Sequence, residues 1–203
     1  MKKESGKIIA IVGAPRSGKS YLAKRLAEHY KCRLFLEGED MDFPARIKED
    51  IKENIRPLER ILWFRNQQVK KFLLAVKHRN RGEMVIVDTF WFSYQLYINA
   101  LTKGFERKIV QELADTDRKS MPWPDKIIFL DISEKNIRKF VSLGGRDFDN
   151  SEDFIQQQVI PINHMHRELF GKKLFADRVI KIDRNNLDFD KPKDFNFLLK
   201  KIF

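Results

Sequence analysis

Eight residues near the start of the chain have the types and spacing to hold a phosphate. Gly13, Ala14, Pro15, Arg16, Ser17, Gly18, Lys19 and Ser20 read G-x-x-x-x-G-K-S, the Walker A phosphate loop. Its two glycines let the backbone bend until successive N–H groups converge on phosphate oxygens. A helix opening near Lys19 adds the positive end of its dipole. In such a loop the lysine reaches the β- and γ-phosphates, and the Ser20 hydroxyl binds Mg²⁺. ATP and Mg²⁺ are therefore the expected cofactors. A plain glycine turn would leave the Lys19-Ser20 pair unexplained.

Further candidates lie where strands end. Glu37, Glu39, Asp40 and Asp42 fall within six residues after the apolar Leu34-Phe35-Leu36. One of them could act as a general base or in a metal shell, and the alternative is an acidic turn capping the next helix. Glu37 is closest to the strand end and so held most firmly, though spacing alone does not rank it above Glu39 and Asp40. Met84-Val85-Ile86-Val87-Asp88 is an apolar run ending in a carboxylate, the form of a Walker B strand. Its aspartate would hold Mg²⁺ directly or through water, and could also cap the helix that follows. Trp91 sits in the aromatic cluster Phe90–Tyr94, which could wall a pocket for a flat base or pack in the core. Arg65 and Gln68 are polar positions on a long apolar helix and could face that pocket.

The remaining candidates are cationic or amide groups. Leu143 to Ser151 breaks the helical pattern with paired glycines, several acids and Arg146. As a lid near 143–151, this stretch would bring Arg146 to the charge on a transferring phosphoryl group. Arg184 and Asn185 follow a late apolar strand, where a nucleotide base could sit.

The elements that must position these groups alternate along the chain. Apolar runs at 7–12, 33–36, 84–88, 126–131 and 179–183 read as buried parallel strands. Helical patterns fill 19–30, 44–54, 57–79, the stretch from the aromatic cluster to 114, 133–141, 151–170 and 193–203. The expected fold is α/β: a five-stranded parallel sheet, order 2-3-1-4-5, with helices on both faces. In such a sheet ligands sit outside the carboxyl ends of the strands.

Composition fits one such domain over 1–203. The chain has 42% hydrophobic and 12% aromatic residues, enough for a core of that size. Cys32 is the single cysteine, so an internal disulfide is excluded. Neither a secretory leader pattern nor an apolar run of about 18 residues is present. These features make a soluble, cytoplasmic protein with no membrane partner the expectation. The net charge of +11 suits anionic ligands. The Lys and Arg residues are scattered, without a basic, aromatic-interleaved tract, so a solvated surface is favoured over a nucleic-acid partner.

Taken together, these segments resemble the deoxynucleoside kinase and thymidylate kinase superfamily over roughly 7–190. The phosphate loop is the firmest match. Phe35-Leu36-Glu37-Gly38 resembles the strand ending in Glu-Pro, with Gly38 in place of the proline. The resemblance implies that Glu37 is the base for a substrate 5′-hydroxyl and that Arg65, in Phe64–Gln68, is an active-site arginine. Asp88 stands where the family has an Asp-Arg or Glu-Arg motif at the substrate, but Thr89 replaces the arginine. Leu143–Arg146 resembles the arginine-bearing lid, with Gly144 replacing one lid arginine. Asp183–Asn185 resembles the adenine-contacting loop, and Leu58 stands where a base-reading glutamine is usual. A weaker resemblance to ribosylnicotinamide kinase domains rests on the Gln-rich helix, the strand ending in Asp-Thr and the Leu-Gly lid. The implied activity is ATP- and Mg²⁺-dependent phosphoryl transfer to the 5′-hydroxyl of a nucleoside. A thymidylate-type monophosphate kinase is the nearest alternative, with Arg65 as one cation for the acceptor phosphate. A nucleotide-binding regulator or nucleic-acid-associated protein is the alternative outside catalysis. The implied partner is a small nucleoside or nucleotide, and a homodimer is compatible with the family.

Overall fold

The computed structural model describes residues 6–37, 43–144, 150–172 and 177–202. Among them, five strands form one parallel sheet: β1 (Lys7–Gly13), β2 (Arg33–Leu36), β3 (Met84–Asp88), β4 (Lys126–Asp131) and β5 (Val179–Asp183). Their order is β2-β3-β1-β4-β5, as the sequence pattern predicts. The helices are α1 (Lys19–Tyr30), α2 (Ala45–Lys52), α3 (Pro57–Asn80), α4 (Gln95–Leu101), α5 (Gly104–Ser120), α6 (Glu134–Gly144), α7 (Glu152–Phe154), α8 (Ile160–Phe170) and α9 (Pro192–Ile202). No helix among the described residues is long and apolar enough to cross a membrane.

Strand alternation makes this a three-layer structure. Ile8, Ala10 and Val12 of β1 point to one face, where they pack with Phe72 and Ala75 of α3 and Ile162 and Phe170 of α8. Ile9 and Ile11 point to the other, against Leu22, Ala23 and Leu26 of α1 and Leu198 and Ile202 of α9. β1 is buried on both faces, which explains its unbroken apolar run. Register then sets the site. Ile11 of β1 pairs with Asp88 of β3, and Asp88 pairs with Leu36 of β2. The phosphate loop, Asp88 and Glu37 therefore emerge side by side at one edge of the sheet.

Two expectations are corrected here. The helix expected over 151–170 is unbroken in sequence but not uniform in winding. Ser151 caps α7 by accepting a hydrogen bond from the Phe154 N–H at 3.1 Å. A π-helical turn, Ile155–Val159, then precedes α8. Pro161 lies in the first turn of α8; it has no N–H and its ring crowds the carbonyl four residues back. Widening the preceding turn relieves that crowding, and the Ile160 N–H bonds five residues back to the Ile155 carbonyl.

Trp91 is core, not pocket. It is fully buried, and its indole N–H donates to the Pro122 carbonyl at 2.8 Å. Trp123 meets it edge-on with ring centroids 5.1 Å apart. Trp91→Ala should destabilise the protein by about 3–5 kcal/mol, read from denaturant midpoints. Loss of nucleotide affinity at unchanged stability would instead return Trp91 to the binding site.

Candidate active site

The phosphate loop is built as a cradle. Gly13 (φ 152°), Arg16 (φ 65°) and Gly18 (φ 90°) turn the backbone through positive φ. A Cβ on Gly13 would lie 2.9 Å from both the Leu130 carbonyl and the Ser17 hydroxyl, so only glycine fits. Lys19 folds its ammonium onto the loop, donating to the Ala14 carbonyl at 3.1 Å. The Ser17 hydroxyl is buried with no hydrogen-bond partner among the described residues. A buried hydroxyl without a protein partner in the phosphate loop fits a ligand rich in acceptor oxygens. The Ser20 hydroxyl donates to Asp88 Oδ2 at 2.5 Å, across 68 residues of sequence. Two hard oxygen donors in contact beside the cradle fit a Mg²⁺ site.

Across the same edge stands Glu37. Its Oε1 accepts from Gln68 Nε2 at 2.5 Å, and the Gln68 amide oxygen accepts from the Tyr94 N–H at 3.0 Å. Gln68 is buried, so this chain of contacts fixes the carboxylate of a residue that is itself half-buried. Thr89 and Ser93 hydroxyls meet at 2.5 Å beside it. Gly13, Lys19, Ser20, Glu37, Gln68 and Asp88 all line one cavity of about 560 Å³. Phe43, Phe64, Tyr97 and Phe154 supply aromatic walls.

Other predicted residues have different placements. Arg65 does not line this cavity. Its Nε and Nη2 bind Asp117 in a fork at 2.8 and 2.6 Å, tying α3 to α5, and the Tyr94 hydroxyl donates to the same carboxylate at 2.7 Å. That grip holds the Arg65 pKa above its ordinary value, while burial and Asp117 raise that of Tyr94. Asn185 ties β5 to the start of α6: its Oδ1 accepts from the Ser133 N–H at 2.8 Å and from Asn136 at 3.1 Å. Arg184 lies next to the loop, 3.4 Å from where a Gly18 Cβ would be. It stacks over Phe140 and Phe189 at 4.7 and 4.2 Å, and burial lowers its pKa. Arg146, Glu39, Asp40 and Asp42 lie outside the described residues.

Sequence reasoning missed several polar residues of the cavity, Arg60, Gln158 and His166 among them. Arg60 is buried and lines it. Its signal was available, because 60, 64 and 68 recur on one face of α3. Gln158 reaches the cavity from the π-helical turn, which no periodicity announces. His166 is fully buried, stacked on Phe129 with planes 11° apart, and its Nδ1 lies 2.8 Å from the Ile162 carbonyl.

Burial pushes the His166 pKa down to about 4; the nearby Lys19 charge adds to this, and the Ile162 hydrogen bond opposes it. The ring is therefore neutral at pH 7 and adds no cation under the loop. Its folded pKa is below the unfolded value near 6.5, so its neutral form supports stability above that value. That support falls as pH drops from 6.5 toward 4, by about 3 kcal/mol in all. An NMR titration should place the His166 imidazole near pH 4, and a midpoint near 6.5 would contradict the burial.

Similarity to known proteins agrees with this fold. The structure resembles deoxyadenosine kinase from M. mycoides with bound dATP, at TM-score 0.78 and 14% identity, covering 97% of this chain and 98% of that one. Thymidylate kinase from Candida albicans matches at TM-score 0.66 and 20% identity, over 98% of this chain and 91% of that one. At such identities the likeness is one of fold. Comparison of the sequence with curated proteins gives no match. The family model described as AAA domain matches residues 8–150, well over half of the chain, and the protein belongs to that family.

Proposed function

We propose that this protein is a kinase that transfers a phosphoryl group from ATP to the 5′-hydroxyl of a nucleoside. One arrangement carries the proposal: Glu37, the phosphate loop and the Ser20–Asp88 pair face one aromatic-walled cavity. Bound Mg·ATP would supply the phosphoryl group and neutralise much of its charge. Lys19 and the loop amides would hold the phosphates, and Ser20 and Asp88 would hold Mg²⁺. Glu37, aimed by Gln68, would accept the proton of the acceptor hydroxyl. Arg146 is the proposed lid cation. Arg184, with its guanidinium between two phenylalanine rings beside Gly18, is the proposed contact for the donor's base. Most of the rate would come from positioning and fixed charge, since phosphoryl transfer needs little covalent help.

The placement of Arg65 bears on the acceptor. The monophosphate-kinase alternative relied on it as a cation for the acceptor phosphate, but its guanidinium is held by Asp117. A neutral nucleoside is therefore the better fit.

Glu37→Gln should lower kcat by about 10²-fold or more while the affinity for ATP stays within about threefold. Gln68→Leu, which removes one partner of the carboxylate, should lower kcat less than that. Steady-state kinetics with nucleoside and monophosphate acceptors, alongside ATP binding by calorimetry, measures both. Unchanged kcat in Glu37→Gln would remove Glu37 from the base role.

A further inference from the structure

We infer that the edge of the sheet opposite the cavity, where the strands begin, binds the phosphate backbone of a nucleic-acid duplex. This surface is separate from the phosphate loop and does not depend on the kinase proposal.

The lysines and arginines are scattered in sequence, but the fold gathers a set of them. All the strand pairs are parallel, so the strands begin at one edge, and the phosphate loop and Glu37 stand at the other. Lys7, Arg33 and Lys126 are the first residues of β1, β2 and β4. Arg178 directly precedes β5, and Lys31 and Arg81 occupy the turns into β2 and β3. With neighbouring strands about 4.8 Å apart, the row from β2 to β5 is roughly 19 Å long.

Little in the chain neutralises this row. Lys7, Lys31, Arg81 and Arg178 are exposed and make no ion pair with a described residue. Two acids of the edge are occupied. Asp125 Oδ2 accepts from the Ile8 N–H at 2.7 Å. Glu83 accepts from Arg33 at 3.5 Å and meets His78 Nδ1 at 3.0 Å. Asp177 and Glu28 are exposed acids close by in sequence, fewer than the cations.

A helix C-terminus accounts for Lys77 and Arg79, which lie in the last turn of α3. It does not account for cations that open strands, because strand dipoles are small. Acids or amides would solvate the edge equally well. A row of one sign repels itself, and an anionic partner offsets that cost.

The surroundings select the partner. None of the exposed large apolar side chains among the described residues lies at a strand start. The edge therefore has no aromatic on which unpaired bases could stack, and no apolar group to enter a bilayer. It offers charge alone, which is how duplex backbones are held without regard to sequence. A duplex carries about one charge per 1.7 Å of axis, so an edge of this length meets several phosphates.

Fluorescence anisotropy of a labelled short duplex tests this, with saturating Mg·ATP present to fill the phosphate loop. Duplexes of different sequence should bind alike, and log association constant should fall with log salt at a slope of about −3 to −4. Lys7→Glu combined with Arg178→Glu should weaken binding at least about tenfold and flatten the slope by about 2. Lys48→Glu combined with Lys108→Glu makes the same change in net charge on α2 and the first half of α5. That control should stay within about threefold of the unmutated protein. Equal weakening by the two pairs would reduce the effect to net charge and overturn the assignment. So would failure to bind the duplex at low salt, displacement of the duplex by Mg·ATP, tighter binding of a single strand of the same length, or capture by phosphatidylserine vesicles in place of the duplex. The salt series and the ATP comparison use the unmutated protein, so they decide the matter even where the double variant does not fold.

Discussion

The whole site depends on the alignment of three parallel strands. β3 lies between β1 and β2, with Asp88 level with Ile11 on one side and Leu36 on the other. That register places a carboxylate between the phosphate loop and Glu37. The 2.5 Å contact from Ser20 to Asp88 is the point where the loop's helix is joined to it. Because side chains alternate along a strand, a one-residue slip of β3 would turn Asp88 to the opposite face and break the group. The apolar burial of β1 and β3 on both faces therefore protects the chemistry as well as the fold.

The local aromatic segment shows how the same residues serve packing and function. Phe90, Trp91 and Phe92 join the core with Trp123. Tyr94, a few residues on, spends its backbone N–H on Gln68 and its hydroxyl on Asp117. The core thus positions α3, and α3 positions Gln68, Phe64 and Arg60. Arg65, on a neighbouring face, anchors the helix to α5 and does not line the cavity. An anchored helix keeps the cavity's length constant.

Much of this was legible in sequence, for physical reasons that differ by residue. The phosphate loop, the strands and their order follow from local spacing and apolar runs, which are short-range signals. Asp88 and Glu37 were legible because strand ends in a parallel sheet must converge. Trp91 and Arg65 were misplaced because a side chain's direction depends on partners far along the chain: Pro122 and Asp117. Gln158 was hidden because Pro161 rewinds the preceding turn and rotates it out of the expected 3.6-residue period. His166 falls between Ile162 and Phe170 on one face of α8, so its burial too had a signal in the spacing.

The most direct test is to incubate the protein with Mg·ATP and a mixture of nucleosides and follow products by ³¹P NMR and mass spectrometry. The account predicts a nucleoside 5′-monophosphate formed together with ADP, and neither in Lys19→Ala, which should remain folded. Tight ATP binding with no monophosphate formed from any nucleoside would contradict it and leave the cradle as a nucleotide sensor.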